Sequence, residues 1–374
     1  MTACNLDPTG LWIGRVERAG IGPLVVTLRD GALVDITTRE APTVRDVLER
    51  DDCTAYLRAV PGAPLGDPDA LPEDLSWLAP PDLQAIKACG VTFAGSMVER
   101  VIEEKAAGDP SKARSIRERI GLRIGESLSK IVPGSLEAAE VKAALMAEGL
   151  WSQYLEVGIG PDAEVFSKAQ VLSAVGQGAE VGLHPASRWN NPEPEVVLAV
   201  TSRGEIRGAS LGNDVNLRDI EGRSALLLSK AKDNNASCAI GPMIRLFDEG
   251  YSLDDVRGAE VRLRVTGDGD GFEMQGVSRM SEISRDPADL VRQTIGRHHQ
   301  YPDGLMLFLG TLFAPTQDRE ADGEGFTHKV GDRVEIGCPD LGTLVNRVNL
   351  STHCPEWTFG ASALMRNLAA RDLL

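Results

Sequence analysis

The most informative segment of the sequence is residues 189–215, which read WNNPEPEVVLAVTSRGEIRGASLGNDV. An apolar run follows the second glutamate, a turn with Gly204 interrupts it, and a second segment returns to Asp214. This pattern predicts two antiparallel strands joined by a short connection. Residues i and i+2 of a strand face the same side, so Glu193 and Glu195 present their carboxylates together. The returning strand is expected to bring Asp214 to the same point.

Three carboxylates at one point predict a cation site. Carboxylates that lie close together raise one another's pKa unless a cation lies between them. Their hard oxygen atoms suit an octahedral ion, Mg²⁺ or Mn²⁺, far better than they suit zinc. The plainer alternative is that Glu193 and Glu195 form an exposed strand face and that Asp214 is a turn residue.

The apolar and polar residues follow different patterns in three regions of the chain. From residue 155 onward, alternating apolar segments bounded by Gly, Asp or Pro predict a long mixed sheet and not a βαβ series. Residues of about 95–150 have apolar and charged side chains at spacings of three and four, which predicts short helices. The first 80 residues predict a small β-rich domain, and the proline-dense Pro61–Pro81 is interpreted as an extended connector. We therefore expect domains at 1–80 and 85–374 in a mainly β, α+β chain.

Composition excludes several kinds of partner. A chain of 374 residues favours two domains, since single cores seldom exceed about 250 to 300 residues. A formal charge of −16 repels polyanions, so nucleic acid is not expected as a partner. The sequence contains no run of about 18 apolar residues, so no membrane span is expected. The first residues lack a signal segment, which predicts a cytoplasmic location. Six scattered cysteines without a Cys-x-x-Cys pair predict reduced thiols.

Short motifs follow the two glutamates in a fixed order. They are Glu193-x-Glu195, Gly212-Asn213-Asp214-x-x-x-Arg218-Asp219, Lys232, Cys238-x-x-Gly241-Pro242, Tyr301-Pro302-Asp303-Gly304 and Gly310-Thr311. This series resembles the metal-binding core of the fumarylacetoacetate hydrolase superfamily. The order and spacing agree over roughly residues 85–350, which makes the resemblance specific.

The resemblance implies a β-roll catalytic domain with one metal ion. Glu193, Glu195 and Asp214 would hold Mg²⁺, which Mn²⁺ could replace. The implied substrate is a small 2-keto acid whose carboxylate and keto oxygens bind the ion.

The resemblance also implies roles for four neighbouring residues. Lys232 would lie at the reacting carbon, Arg218 would support the site or the substrate, and Gly310 with Thr311 would bind the carboxylate. Each has a plainer alternative: Lys232 as a solvated lysine, Arg218 as half of a surface ion pair, and Thr311 as an ordinary strand residue.

The helical segment of about 95–150 corresponds to a lid in this superfamily. Hydrolytic members resemble one another in a lid histidine followed three residues later by a glutamate. In this chain the corresponding residues are Ser96, placed with the substrate-binding groups, and Glu99. Without the imidazole, activation of water is poorly supported, whereas elimination needs no such water. Glu99 could instead be a solvated charge beside Arg100 and Glu103.

The resemblance is strongest to the 2-keto-3-deoxy-pentonate (xylonate or arabinonate) dehydratases, which share the Pro-Glu-Pro-Glu and Pro-Asp-Gly settings. The implied enzyme is a hydro-lyase of sugar-acid catabolism that forms 2,5-dioxopentanoate, with Lys232 and Glu99 as base and acid in either order. A Mg²⁺-dependent C–C hydrolase of a 2,4-diketo acid or acylpyruvate, and a keto-acid binding module without turnover, remain as alternatives. The family also implies a homo-oligomer, a dimer or tetramer, which the apolar WTFGASALMRNLAA of residues 357–370 supports.

Overall fold

The computed structural model describes residues 3–374, apart from 114, 117–130, 148, 150, 312, 314, 316 and 321–324. Part of the predicted lid therefore lies outside the described residues. The described strands are β1 (Trp12–Arg18), β2 (Gly22–Arg29), β3 (Ala32–Asp35), β4 (Ala63–Gly66), β5 (Leu75–Leu78), β6 (Ala85–Gly90), β7 (Glu164–Ala169), β8 (Glu180–Leu183), β9 (Pro194–Val200), β10 (Ile206–Asp214), β11 (Cys238–Leu246), β12 (Glu260–Thr266), β13 (Glu273–Arg279), β14 (Leu305–Phe308), β15 (Arg333–Cys338) and β16 (Gly342–Leu350).

These strands form two sheets, which confirms the mainly β, α+β class. The larger has eleven strands in the order β4-β3-β2-β1-β11-β10-β9-β14-β6-β7, with β5 paired to β1, and the smaller has the order β13-β12-β15-β16-β8. The described helices are α1 (Val44–Leu48), α2 (Cys53–Ala59), α3 (Ala94–Lys105), α4 (Leu136–Ala147), α5 (Gln153–Ile159), α6 (Arg218–Glu221), α7 (Leu228–Lys232), α8 (Leu253–Gly258), α9 (Pro287–Thr294) and α10 (Ala361–Ala370).

The β9–β10 hairpin lies at the centre of the larger sheet. The two strands pair antiparallel, as the sequence predicts, with Glu195 opposite Gly212. β9 is buried along its whole length because its two faces enter different apolar clusters, one with Val196 and one with Val197. This burial holds the ends of β9 and β10, and therefore their acidic residues, in a fixed register.

The smaller sheet packs on one face of the hairpin. In β12, buried valines and a leucine alternate with exposed arginines, as expected of a strand with one face towards the core. Val261 and Leu263 of this strand lie in the same apolar cluster as Val196 and Leu198 of β9. The two sheets therefore enclose the main core.

The N-terminal strands continue the larger sheet. β1 pairs antiparallel with β11, at Trp12 opposite Arg245 and Ile13 opposite Ile244. That residues 1–80 are a domain of their own stays a prediction. The proline-dense stretch is more than a connector, because β4 and β5 lie within it. β4 accepts its proline because it lies at the edge of the sheet, where a missing N–H breaks no ladder on the open side.

The C-terminal helix α10 packs against the N-terminal strands. Leu364 and Leu368 of α10 are buried, and Asn367 donates a hydrogen bond to the carbonyl oxygen of Ile21, so the helix rests on its own chain. Met365 of the same helix is 61% exposed, so part of its apolar surface stays open.

All six cysteines are buried thiols without a disulfide. Across the described residues, no helix is long and apolar enough to cross a membrane.

Candidate metal centre and its cavity

The three acidic residues of the hairpin meet at one point. Glu193 and Glu195 flank the start of β9, Asp214 ends β10, and one carboxylate oxygen from each lies within 4.8 Å of the others. The backbone N–H of Asp214 donates to the carbonyl oxygen of Glu193 at 3.0 Å, so strand pairing itself sets their spacing. All three are buried, which excludes an exposed strand face as their explanation.

The negative charges of the three clustered carboxylates repel one another, and a divalent cation would balance them. Burial and the charges of Asp214 and Glu193 raise the pKa of Glu195 well above its usual range, although the Gly310 N–H donates to it at 2.7 Å. Burial would also raise the pKa of Asp214, but Lys168 and Lys232 outweigh it and hold that pKa low. Three buried hard-oxygen groups fit the donor set of Mg²⁺ or Mn²⁺.

Lys232 contacts two of these carboxylates. It ends the short helix α7 and is buried, so it is not a solvated lysine. Its Nζ lies 2.5 Å from Glu193 Oε2 and 3.1 Å from Asp214 Oδ2, and 5.7 Å from the centre of the Phe166 ring. Burial would lower the pKa of Lys232, but Asp214 and Glu193 outweigh burial and raise it.

A second lysine lies behind the cluster. Lys168 is fully buried on β7, and its Nζ lies 2.7 Å from Asp214 Oδ1. It also donates hydrogen bonds to the carbonyl oxygens of Val215, at 3.2 Å, and of Lys232. No motif in the sequence marks this residue.

The helix α3 carries Arg100 and Glu103, the charged neighbours of Glu99, and both face the cavity. Arg100 places Nη2 2.5 Å from Glu193 Oε1 and Nη1 2.9 Å from Glu221 Oε2. Glu103 is buried and accepts from Arg100 at 2.7 Å and from Arg218 Nε at 2.7 Å. The side chains of Arg100 and Glu103 are only 12% and 3% exposed, because α3 packs with its charged face towards the cavity.

Arg218 is buried and is therefore no surface residue. Besides its ion pair with Glu103, it donates from Nη1 to the carbonyl oxygen of Pro315 at 2.9 Å and lies 4.3 Å from the Trp189 ring centre. Its Nη2 lies 3.6 Å from Glu99 Oε2. Arg218 thus connects α6 with the α3 face that carries Glu99.

Ser96 and Thr311 line the cavity with their hydroxyl groups already in contact with backbone. The Ser96 hydroxyl donates to the carbonyl oxygen of Phe93 at 2.9 Å, and the Thr311 hydroxyl accepts from the N–H of Phe313 at 3.1 Å. Gly310 has a φ of +88°, a conformation that favours glycine, and this bend aims its N–H at Glu195. Their roles in binding a substrate stay predictions.

Glu164, at the start of β7, is a further acidic residue of the cavity. It is paired with Gly90 of β6, and a Cβ at position 90 would lie 2.0 Å from Glu164 Oε2. The absent side chain thus makes room for this carboxylate, which forms no hydrogen bond or ion pair with any described residue. Burial and the charge of Glu221 raise the pKa of Glu164 to about 7.

One cavity brings all of the sequence-predicted site residues together. A sequence signal for the missed Glu164 exists in EVFSKA of β7, where Glu164 and Phe166 alternate as residues of one strand face do. Nothing in that segment resembled a known motif. The predicted residues that line the cavity are Ser96, Glu99, Glu193, Glu195, Asp214, Arg218, Lys232, Gly310 and Thr311.

The sequence also matches a known family. A profile described as the fumarylacetoacetate (FAA) hydrolase C-terminal region matches residues 158–349, which is more than half of the chain and includes the three acidic residues. The chain belongs to the fumarylacetoacetate hydrolase family. The motifs that suggested this resemblance therefore identified the family correctly.

Two curated proteins that are similar to this chain in sequence carry dehydratase names. The 2-dehydro-3-deoxy-D-arabinonate dehydratase of Saccharolobus solfataricus is 32% identical over 188 residues, 50% of this chain and 58% of that protein. The probable 2-keto-3-deoxyxylonate dehydratase of Haloferax volcanii is 33% identical over 195 residues, 52% and 63% of the two chains. The matched region thus spans less than two thirds of each relative.

A solved structure shares the fold over nearly the whole chain. It is a 2-keto-3-deoxy-D-arabinonate dehydratase complexed with magnesium and 2,5-dioxopentanoate, with a TM-score of 0.64 and 21% identity. The match covers 91% of this chain and 99% of that one. At this identity the similarity shows the fold, which is the one predicted from the family resemblance.

Proposed function

We propose that this chain is a Mg²⁺-dependent hydro-lyase that converts a 2-keto-3-deoxy-pentonate into 2,5-dioxopentanoate. The proposal rests on the buried cluster of Glu193, Glu195 and Asp214 beside Glu164, whose carboxylate has no hydrogen-bond or ion-pair partner among the described residues. The names of the two curated relatives, and the ligands in the similar solved structure, support the same substrate class. The proposal extends to the whole chain an activity named for relatives that match about half of it.

The metal would be held by Glu193, Glu195 and Asp214, and Mn²⁺ could replace Mg²⁺. When bound, the ion supplies positive charge that polarises the C2 carbonyl of the substrate and so lowers the pKa of the C3 protons. The ammonium of Lys232, which contacts two of the ligand residues, adds a donor for charge that develops on the C2 oxygen.

We assign removal of the C3 proton to Glu164. The sequence left the base open between Lys232 and Glu99, but Lys232 is engaged by two carboxylates, whereas Glu164 faces the cavity without a partner among the described residues. A base must be free to accept a proton, and it works best when its pKa lies near the working pH. With a pKa of about 7, Glu164 meets both conditions.

We assign protonation of the departing C4 hydroxyl to Glu99. It lines the cavity from α3, and Nη2 of Arg218 lies 3.6 Å from its Oε2. The proton that Glu99 gives leaves with the hydroxyl as water. Proton shifts from the C5 carbinol to C3 and C4 then give 2,5-dioxopentanoate. Arg218, Thr311 and Ser96 would hold the substrate in the orientation that this requires.

Product analysis tests the proposal directly. Purified protein with Mg²⁺ should form 2,5-dioxopentanoate from a 2-keto-3-deoxy-pentonate, identified by mass, and EDTA should abolish turnover until Mg²⁺ or Mn²⁺ is restored. A panel of stereoisomers would identify the preferred sugar acid. Full activity without metal, or faster release of pyruvate from an acylpyruvate than dehydration of any member of the panel, would contradict the proposal.

We also propose a cytoplasmic location and a homo-oligomer, a dimer or tetramer. The partly exposed apolar surface of α10, including Met365, supports association between copies. Light scattering at micromolar concentration should give a multiple of the 40.1 kDa chain mass. A mass of one chain would refute the oligomer.

A further inference from the structure

Lys168 does not line the cavity, yet it contacts Asp214 of the acidic cluster. It is 0% exposed, and taking an ammonium group out of water is costly unless other groups compensate its charge and its N–H donors. A lysine has three N–H donors. Its Nζ faces three oxygens: Asp214 Oδ1 at 2.7 Å, the Val215 carbonyl at 3.2 Å and the Lys232 carbonyl.

The backbone of β7 is irregular at this residue. Ser167 pairs with Lys87 and Ala169 pairs with Ile86, so Lys168 is the extra residue of a β-bulge. Bulges redirect a side chain and occur often beside active sites. The bulge lies in the edge strand of the larger sheet, and it turns Lys168 towards the ends of β10 and α7.

The three oxygens belong to the two elements that must meet at the centre. Asp214 and Val215 end β10, and Lys232 ends α7. Because Lys168 takes Oδ1 of Asp214, Oδ2 is left for the cavity side, where Lys232 Nζ contacts it. One buried ammonium thus fixes the orientation of a carboxylate and the place of the lysine beside it.

We propose that Lys168 is a positioning residue that orients the metal ligand Asp214 and anchors the end of α7 that carries Lys232. This inference rests on the proposed function, because it concerns how the same metal centre is assembled. Lys168 itself touches neither substrate nor metal. A methionine of similar length would leave the Asp214 carboxylate without this cation and two carbonyl oxygens without their donor.

Metal binding by Lys168→Met tests the proposal without measuring activity. Titration calorimetry with Mn²⁺ should give an affinity about 10–100-fold weaker than in the unsubstituted protein, the usual loss when a group behind a metal ligand is removed. The electron paramagnetic resonance spectrum of bound Mn²⁺ should change as well, since it reports the geometry of the ligands. A loss of charge repulsion alone would instead strengthen binding.

Arg15→Met is the matched control. Arg15 is also a buried cation, and it donates to the carbonyl oxygens of Ala79 and Pro81, at 3.4 and 2.6 Å. This variant should lose stability but bind Mn²⁺ with the normal affinity and spectrum. Equal weakening in both variants would mean that Lys168 acts only through general stability.

Each outcome decides between the two proposals. If the unsubstituted protein binds neither Mg²⁺ nor Mn²⁺, the proposed function fails. If it binds Mn²⁺ and Lys168→Met binds as well or better with the same spectrum, only the positioning role fails. If Lys168→Met does not fold, Lys168→Gln keeps amide donors for the carbonyl oxygens and should still show the weaker binding. Loss of folding in both variants would overturn the positioning role, because the lysine would then be required for folding itself.

Discussion

The cavity has two walls that are held in different ways. The strand wall is fixed by backbone pairing, since β9 and β10 share one register and β7 pairs with β6. The helix wall is held by side-chain charges, because Arg100 pairs with Glu193 of the strand wall and Glu103 pairs with Arg218 of α6. The strand wall comprises Glu164, Phe166, Glu193, Glu195 and Asp214, and the helix wall comprises Ser96, Glu99, Arg100 and Glu103.

Because the two walls are held differently, they should respond differently to substitution. A sheet register cannot shift by one residue without turning a whole face away, so the acidic cluster should persist in most variants. Buried ion pairs are lost as soon as one partner is neutralised. Substitutions in the strand wall should therefore affect metal and chemistry with little loss of order, whereas substitutions in the helix wall should loosen α3.

The largest effect is expected for Glu195→Gln. The amide keeps the volume and loses the charge, so Mn²⁺ affinity measured by calorimetry should fall by more than about 100-fold, the upper end for groups behind a ligand. Glu205→Gln, on the exposed turn of the same hairpin, should bind normally. A near-normal affinity in Glu195→Gln would remove this residue from the metal site.

Glu164→Gln should separate chemistry from metal binding. We expect kcat to fall by roughly two to four powers of ten, the usual loss for a general base, while Mn²⁺ affinity is retained. Because the carboxylate is the active form, kcat/KM of the unsubstituted enzyme should rise with pH and level off once Glu164 is ionised. The midpoint of this rise should lie at or below the Glu164 pKa of about 7, because a bound cation favours the charged form. An unchanged pH profile in Glu164→Gln would assign the base elsewhere.

Glu103→Gln should loosen the helix wall. Removing one partner from a buried pair costs about 3 kcal/mol or more, so hydrogen exchange of α3 amides should quicken by roughly 100-fold, while the β9 amides stay protected. Lys105→Gln removes an exposed charge from the same helix and should leave exchange unchanged. Equal exchange in the two variants would mean that packing, and not charge, holds α3.

Ser96→His should have the smallest effect. It creates the histidine that hydrolytic relatives are expected to use for activating water, a group that elimination does not need. Dehydration should therefore be no faster, as measured by initial rates, whereas Glu99→Gln should slow it. A rate gain from Ser96→His would indicate that water activation limits the reaction.

The sequence predicted the strand wall better than the helix wall. Glu193, Glu195 and Asp214 follow from the two-residue period of a strand and from one hairpin, which are local features. Arg100 and Glu103 look like solvated helix charges, because their burial depends on partners more than 90 residues away. The role of Lys168 could not be predicted, because it depends on a bulge that no motif marks and that aims the side chain at Asp214.

The same limit applies to the fold. The sequence predicted the short strands of the N-terminal region, but nothing local indicates that β1 pairs with β11. The strands β4 and β5 were missed because prolines usually mark connectors, and only an edge position makes them compatible with pairing. Pairing between distant segments is set by packing, which a local pattern does not record.

The β1–β11 pairing has a consequence for anyone who shortens the chain. β11 is buried along its whole length, and removing the first 80 residues would leave the backbone groups near Ile244 and Arg245 unpaired on that side. Such an open, apolar strand edge recruits other chains. A fragment starting at residue 85 should therefore sediment as aggregates after expression, even though it contains every ligand of the metal centre. By pairing with β11, the N-terminal strands are expected to keep the molecule colloidally stable.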